Sequence, residues 1–452
     1  MQTAGLSLDQ APPLGIPARF FLTAPLAIIA AGLVPMLLGV ETLQSPWFPQ
    51  AMAVAHLGTL GFLAMVMVGA LYQMVPVVAG APVKAIRLAY VVHALLLAGV
   101  VAFVIGLFGM GGALIDPDGA ITAIKIGVHC LMTGLVLFII PVGVALIRAP
   151  IQDPTVRGMR LALLGLIIAT YMGFQLSRGH FAGMFPDSRP LWLQVHYNIG
   201  LQVWLGALIV AVSWQVVPMF YLTPTVSNRS KLMQLALVVV GLVALCVTAA
   251  VEPTARYWVM LAAAPGAAVV WLIQPLQMLL LLQKRSRPRP DGSLLFWRSG
   301  LVLGILLLPL GLIAHLRQDG NLQVLWGWLA IWGWAGLIVH GMLTRIVPFL
   351  IWFHRMSPHV GLRPVPSMRG LLSQKRIKLG WQLHMAALIM GSVTLLTPPH
   401  VAHMDVVHSN PIFGWLGILT GALLIATGVV LMSSLLHVLR QQPPPAPAEA
   451  AS

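Results

Sequence analysis

Twelve apolar runs, each long enough to cross a lipid bilayer, constrain the fold of this chain more than any other feature of its sequence. A helix needs about 20 apolar residues to cross the hydrocarbon core, because each residue adds about 1.5 Å. The runs fall at 20–41, 50–78, 87–110, 123–147, 160–177, 191–222, 232–251, 257–283, 296–316, 323–352, 379–398 and 411–438. The sequence therefore predicts an all-α integral membrane protein with twelve transmembrane helices.

The composition excludes a soluble globular protein, since 59% of the residues are hydrophobic, 8% are charged and the mean hydropathy is +0.91. A net charge of +15 would indicate a nucleic-acid partner in a soluble chain, but here basic loops explain it. If the N-terminus is cytoplasmic, the inner loops and tails hold 20 of the 26 Lys and Arg residues and the outer loops hold five. The positive-inside rule then predicts a multi-pass protein of the inner (cytoplasmic) membrane with both termini cytoplasmic, and no nucleic-acid partner.

We expect one membrane domain over residues 20–440, a cytoplasmic tail before it at 1–19 and a disordered Pro- and Ala-rich tail at 441–452. The first ten residues lack a basic region before an apolar core, so we expect no cleaved signal peptide. Both cysteines lie in apolar runs, which argues against a disulfide framework.

One segment occurs three times, and each copy ends in Gln or Arg, any residue, Val and Pro. The copies occupy the second, sixth and tenth apolar runs and end at Pro76, Pro218 and Pro348. Repeats at such long periods in an apolar chain predict pseudo-symmetric helix groups. We therefore expect three four-helix groups at about 20–150, 160–283 and 296–438.

Two copies of the repeat carry a histidine at nearly the same distance before the proline. His56 precedes its proline by 20 residues and His196 precedes its proline by 22. That distance is roughly 30 Å of helix, so both histidines are predicted at the outer ends of their helices. The third copy has Trp326 and Trp328 at these positions.

Other intramembrane histidines fall into two sets by depth. His129, near the outer start of the fourth run, lies at a depth similar to that of His56. A set closer to the cytoplasm contains His93, His340 and His384. Neutral imidazole suits heme iron, copper or zinc, whereas the alternative for each histidine is a helix–helix hydrogen bond. All eleven acidic residues lie in loops, tails or helix ends, which argues against a carboxylate proton relay.

The predicted outer loop after the eleventh run concentrates potential metal ligands. It places three histidines and a methionine within nine residues: His400, His403, Met404 and His408. Imidazole together with thioether suits copper, so this loop is a candidate copper site. The alternative is a set of solvated loop side chains.

At the repeated segments the chain resembles the catalytic subunit of the heme-copper oxidase superfamily, nearest to the cbb3-type oxidases and nitric oxide reductases. His56-Leu-Gly-Thr-Leu-Gly-Phe, followed by Gly69-Ala-Leu-Tyr-Gln-Met-Val-Pro, resembles the second-helix motif of that family. Val195-His196-Tyr-Asn-Ile-Gly and Gln215-Val-Val-Pro resemble its sixth-helix motif. The NnrS-type membrane heme proteins are similar in plan.

This resemblance implies an oxidoreductase of the terminal oxidase or nitric oxide reductase type. It implies bound heme b and copper, with His56 as a heme ligand and His196 as a copper ligand. It further implies partner subunits and electrons supplied by a quinol or a cytochrome.

The chain departs from the family where further metal ligands belong. The tenth helix has Trp326 and Trp328 where the family has two histidines, and the seventh helix lacks the paired histidines at its start. A complete binuclear centre therefore cannot form in the family's way. We expect a divergent heme protein for electron transfer, or for NO or metal handling. The alternative is a non-redox membrane carrier or metal-handling protein that keeps the fold without cofactors.

Depth also limits which histidines can share one heme. Bis-histidine ligation needs two imidazole nitrogens about 4 Å apart, and His340 lies roughly 18 Å deeper than His56. His129 and His196 match in depth, and we predict His129 as the partner because it belongs to the same helix group. His196 is the alternative. The outer arginines that could pair with heme propionates are Arg178, Arg189 and Arg317.

Overall fold

The computed structural model describes residues 8–251, 256–286, 291–397, 400–403, 406–409 and 411–443. Twelve of its helices are long and apolar enough to cross a membrane, as the sequence predicts. We number them α1 to α12: Gly15–Leu37, Pro49–Ala79, Ile86–Met110, Pro117–Ile147, Pro154–Ala182, Arg189–Tyr221, Asn228–Ala250, Trp258–Gln283, Ser293–Arg317, Gly320–His359, Gln374–Leu396 and Gly414–Leu439. The all-α, twelve-span fold class is therefore confirmed, while the grouping into three units stays a prediction.

Several helices begin earlier than their apolar runs predict. Helix α4 begins at Pro117 and α5 at Pro154, each about six residues before the corresponding run. Aspartate caps explain the difference. The side chain of Asp116 accepts a hydrogen bond from the backbone N–H of Gly119 at the start of α4, and the side chain of Asp153 accepts one from the backbone N–H of Val156 at the start of α5. Likewise α1 begins at Gly15, five residues before its apolar run.

The connections add short elements. Among the described residues, three short 3-10 helices lie outside the spans, at Leu8–Gln10, Glu41–Leu43 and Met368–Leu371. Two more form the start of α3 (Ile86–Leu88) and the end of α10 (Ser357–His359). Between α11 and α12, strand β1 (His400–His403) pairs antiparallel with β2 (Val406–Ser409). The end of the predicted disordered tail, from residue 444 onward, lies outside the described residues.

The three repeat helices form the centre of the bundle. In α2, α6 and α10, 78–89% of the most apolar window is buried, compared with 28–56% in the other nine spans. The first and last helices pack side by side in the surrounding layer. At Gly32 a Cβ atom would lie 2.5 Å from the carbonyl oxygen of Gly421, so only glycine permits this approach of α1 to α12.

A π-helical segment interrupts each repeat helix at the same position. The segments are Leu57–Ala64, Ile199–Gly206 and Leu329–Ala335, and each begins 19 residues before the repeat proline. A π-helical turn adds a residue and rotates the side chains that precede it relative to those that follow. The internal repeat is thus visible in the backbone, and in α2 and α6 the histidine lies just before the π-helical segment.

Candidate functional site

The three repeat helices enclose one large cavity at the predicted outer end of the bundle. Its volume is about 830 Å³, within the range of about 300–1,000 Å³ typical of cofactor and ligand pockets. Parts of α4, α5, α8 and α9 form much of the remaining wall, and α1, α3, α11 and α12 contribute one to three residues each. Among the described residues that line it, none is Asp, Glu, Lys or Arg. The cavity therefore suits a mainly apolar ligand.

His56 lines this cavity, and a backbone carbonyl of its own helix, α2, holds its imidazole ring through one nitrogen. Its Nδ1 lies 2.7 Å from the carbonyl oxygen of Met52, one turn earlier, and its ring packs edge-on to Phe103 at 5.2 Å. Because a carbonyl oxygen only accepts, Nδ1 donates the hydrogen. In a neutral imidazole, Nε2 of His56 is then the nitrogen with a lone pair for a metal ion.

His196 lines the same cavity and is held in the same way by a neighbouring helix. Its Nδ1 donates to the carbonyl oxygen of Ala169 on α5 over 3.0 Å. The ring packs against Gly173, where a Cβ atom would lie 3.0 Å from the imidazole Cε1. Glycine at this position therefore leaves room for the ring. The Nε2 atom of His196 is again the nitrogen left with a lone pair.

The fold brings these two histidines together. Both imidazoles line one cavity, at the predicted outer end of the bundle. Histidines that bind metals usually donate their other ring nitrogen to a carbonyl or carboxylate, which fixes the tautomer and the ring orientation. His56 and His196 both have this arrangement.

His129, the predicted partner of His56, lies elsewhere. It is exposed on α4, its Nδ1 donates to the carbonyl oxygen of Lys125 over 2.7 Å, and its ring lies 5.9 Å from those of Phe174 and Phe181. It is not among the described residues that line the cavity, although the following turn of α4 is. The structure thus brings His196, rather than His129, to the cavity that His56 lines.

The three outer arginines surround the cavity without lining it. Arg178 donates to Gln175 over 3.0 Å, and the guanidinium of Arg189 lies 4.3 Å from the ring of Phe185. Arg317 is exposed. Their sequence neighbours Ser177, Pro190 and Gln318 do line the cavity. Pairing with heme propionates therefore stays a prediction.

The third repeat contributes indole rings instead of imidazoles. Trp326 and Trp328 both line the cavity, and each donates its Nε1 hydrogen to a backbone carbonyl, of Leu307 and Leu388 respectively. Close packing supports this wall, since a Cβ atom at Gly58 of α2 would lie 2.5 Å from the side chain of Ile331.

The inner histidines form helix–helix hydrogen bonds. The Nδ1 atoms of His340 and His384 lie 3.1 Å apart, and Nε2 of His384 donates to the carbonyl oxygen of Trp332 over 2.9 Å. Both side chains are almost completely buried. On the first and third helices, Oγ1 of Thr23 lies 3.1 Å from Nε2 of His93. These contacts match the alternative given for each intramembrane histidine, which is a helix–helix hydrogen bond rather than a bond to a metal.

The predicted copper loop is only partly described. His400 and His403 lie on β1 and His408 on β2, where the backbone alone is described, and Met404 lies outside the described residues. Among the described residues, no group of three or more His, Cys, Asp or Glu side chains has the arrangement of metal ligands. The copper prediction for this loop stays a prediction.

Two features escaped the sequence reasoning. His315 and Gln318, at the outer end of α9, line the cavity, and their position at the same membrane depth as His56 was a usable signal. At the inner end, Arg345 forms a buried salt bridge with Asp291, which also accepts from the Ser293 hydroxyl. No signal in the sequence links a loop aspartate to that arginine.

The chain matches no protein-family model, and no curated protein is significantly similar to it. Fold and cavity define a polytopic, all-helical membrane protein with one large uncharged chamber.

Proposed function

We propose that this chain binds one heme b in the cavity, with His56 and His196 as axial ligands, and serves electron transfer as a divergent relative of the heme-copper oxidases. The observation that carries the proposal is the matched anchoring of the two imidazoles. Each donates Nδ1 to a carbonyl and keeps Nε2 for a ligand, at the wall of one uncharged cavity. Both nitrogens are then suited to iron.

The cavity also fits the rest of a heme group. Its walls are mainly aliphatic and aromatic, as an apolar macrocycle requires, with Phe103 and Leu201 among them. Near the predicted outer rim, Gln318 lines the cavity and Arg189 lies close by, so charged propionates would meet polar partners there. A bound heme would supply reversible one-electron transfer, and the two histidines would hold it in place.

The resemblance to heme-copper oxidases also implies copper and reduction of oxygen or NO. Trp326 and Trp328 stand where the family's further histidines would be, which favours electron transfer, or NO or metal handling, over that reduction. A quinol or a cytochrome would supply the electrons. The excess of basic residues in the predicted inner loops supports an orientation with the cavity facing outward.

The absorption spectrum of the purified protein tests the proposal. We expect a reducible, low-spin, six-coordinate heme spectrum that His56→Ala and His196→Ala each abolish or convert to high-spin. His129→Ala and the exposed inner-end control His437→Ala should keep the spectrum of the unchanged protein. If His129→Ala removed the low-spin spectrum and His196→Ala did not, His129 would be the ligand.

A second candidate function is that of a non-redox carrier of apolar molecules. The observation that favours it is the absence of Asp, Glu, Lys and Arg among the described lining residues. A protein that stays colourless after expression with ample heme, yet is folded and stable, would support the carrier and refute the heme proposal.

A further inference from the structure

Helices α9 and α11 lie side by side in a fixed register at the predicted inner end of the bundle. The backbone N–H of Gly292, just before α9, donates to the side-chain oxygen of Gln374 over 2.8 Å. One to two turns farther on, the indole of Trp381 donates to the hydroxyl of Ser299 over 3.1 Å. Both bonds join residues 82 positions apart in the chain. The two helices therefore run in the same direction, and residues about 82 positions apart lie at the same depth.

Three cations lie exposed beside this contact. Arg298 of α9 and Lys378 of α11 are each within one turn of the bond between Trp381 and Ser299, and Lys375 is one turn before Lys378. In the register of 82, Arg298 is level with position 380, which is two residues or roughly 3 Å from Lys378 in depth. Among the described residues, none of the three cations has an ion-pair partner.

No negative charge of the protein compensates these cations. Helices α9 and α11 both begin at this end, so their macrodipoles add positive potential there. Neither helix has an acidic residue in its first turn. Asp291, which precedes α9, is buried and forms a salt bridge with Arg345. An anion from outside the chain would therefore stabilise this end of the two helices.

An exposed apolar surface continues from the cations toward the middle of the membrane. On α9, Val302 and Leu306 follow Arg298 at intervals of four residues, on the same helix face, and are 48% and 52% exposed. On α11, Ile389 follows Lys378 by 11 residues, about three turns, and is 58% exposed. We name the region defined by these five residues the α9–α11 groove. None of the five lines the cavity.

We propose that the α9–α11 groove binds one anionic phospholipid of the predicted inner leaflet. Its phosphate accepts charge-assisted hydrogen bonds from Arg298 and Lys378, and an acyl chain lies along Val302, Leu306 and Ile389. The charge selects an anion, and the long apolar surface beside it selects a lipid over a soluble phosphate, as in basic sites between spans at the cytoplasmic side. The inference goes beyond the proposed function and requires no heme.

Competition between two phospholipids for the full chain in detergent tests the proposal. Phosphatidylglycerol is anionic and phosphatidylcholine is zwitterionic, so the two are used with identical acyl chains and the bound lipid is counted by native mass spectrometry. We expect one phosphatidylglycerol per chain to be retained in preference to phosphatidylcholine. The double variant Arg298→Gln with Lys378→Gln removes both cations, so the dissociation constant of phosphatidylglycerol should rise about thirtyfold.

The matched control is Lys84→Gln with Arg87→Gln. It removes the same charge from two exposed positions on the same predicted side, at the start of α3, and should bind phosphatidylglycerol as the unchanged protein does. Arg298→Lys with Lys378→Arg keeps both charges and should keep the preference for the anionic lipid. The heme spectrum should be the same in all of these variants, which separates this inference from the proposed function.

Three results would overturn the proposal: equal retention of the two lipids, equal affinity for phosphatidylglycerol in the unchanged protein and in Arg298→Gln with Lys378→Gln, or the same loss in the Lys84 and Arg87 control. Glycerol 3-phosphate carries the phosphate without acyl chains and should not displace the lipid. Displacement at an equal concentration would overturn the assignment to a phospholipid.

Discussion

In the predicted inner half of the bundle, two pairs of buried polar side chains bond to each other, whereas in the predicted outer half two histidines line an open space. His340 bonds to His384, and Arg345 bonds to Asp291, within closely packed surroundings. His56 and His196 instead bond through one ring nitrogen to a backbone carbonyl and present the ring to a cavity of about 830 Å³.

The difference separates histidines that hold helices together from histidines that can hold a ligand. All of these side chains are polar groups in a membrane span, which by itself marks a functional candidate. In each of the two inner pairs, one side chain bonds directly to the other, which gives these groups a role within the fold. His56 and His196 are each oriented by a hydrogen bond from Nδ1, and their other ring nitrogen remains for a ligand in the cavity, as a binding site requires.

The largest expected effect concerns the inner salt bridge. Asp291→Ala leaves Arg345 charged and buried without its partner, which we expect to lower the free energy of unfolding by about 3–5 kcal/mol. Thermal unfolding in detergent measures the loss. The double variant Asp291→Ala with Arg345→Met removes both charges and should recover most of the stability. If the single variant were as stable as the unchanged protein, the inner half would not depend on paired polar groups.

A smaller effect is expected at the inner histidine pair. His384→Ala removes the partner of His340 and the donor to the Trp332 carbonyl, so the free energy of unfolding should fall by about 1–3 kcal/mol. The heme spectrum should not change. His196→Ala should give the reverse pattern, with a lost spectrum and little change in the stability of the heme-free protein. A heme spectrum altered by His384→Ala would contradict the division between the two halves.

The smallest expected effect in stability concerns the glycine beneath His196. Gly173→Ala places a methyl group 3.0 Å from the imidazole Cε1, so the ring must shift and the heme content or spin state should change. The free energy of unfolding should change by about 1 kcal/mol or less. The control is Gly200→Ala, also on the cavity wall, where a Cβ atom meets nothing within 4 Å among the described residues. Identical spectra for both variants would mean that the ring of His196 does not hold the heme.

Hydropathy and the repeat were sufficient to predict much of this architecture. The twelve spans follow from apolar runs, because a bilayer permits few alternatives to a helix. The repeat predicted equivalent positions for His56 and His196, and the π-helical segments at identical offsets extend that equivalence to the backbone. Helix ends were less predictable, since capping by residues such as Asp116 lies outside the apolar run.

Neighbours across helices were not predictable from the sequence. Helix position gives the depth of a histidine, but not the direction in which it points around the helix axis. His129 and His196 match in depth, yet one lies on the exposed side of α4 and the other on the cavity wall. The same limit hid the salt bridge, because Asp291 belongs to a connection in sequence and meets Arg345 only in the folded bundle.

The close approach of α1 and α12 through Gly32 and Gly421 has a consequence for biosynthesis. During translation α1 enters the membrane before the helix that covers its glycine face, and ten spans lie between the two. The bundle therefore cannot close until α12 has been inserted. Because α1 and α12 run antiparallel, Gly15 and Leu439 end on the same side, so a circular permutant that joins the two termini should fold and would shorten that delay.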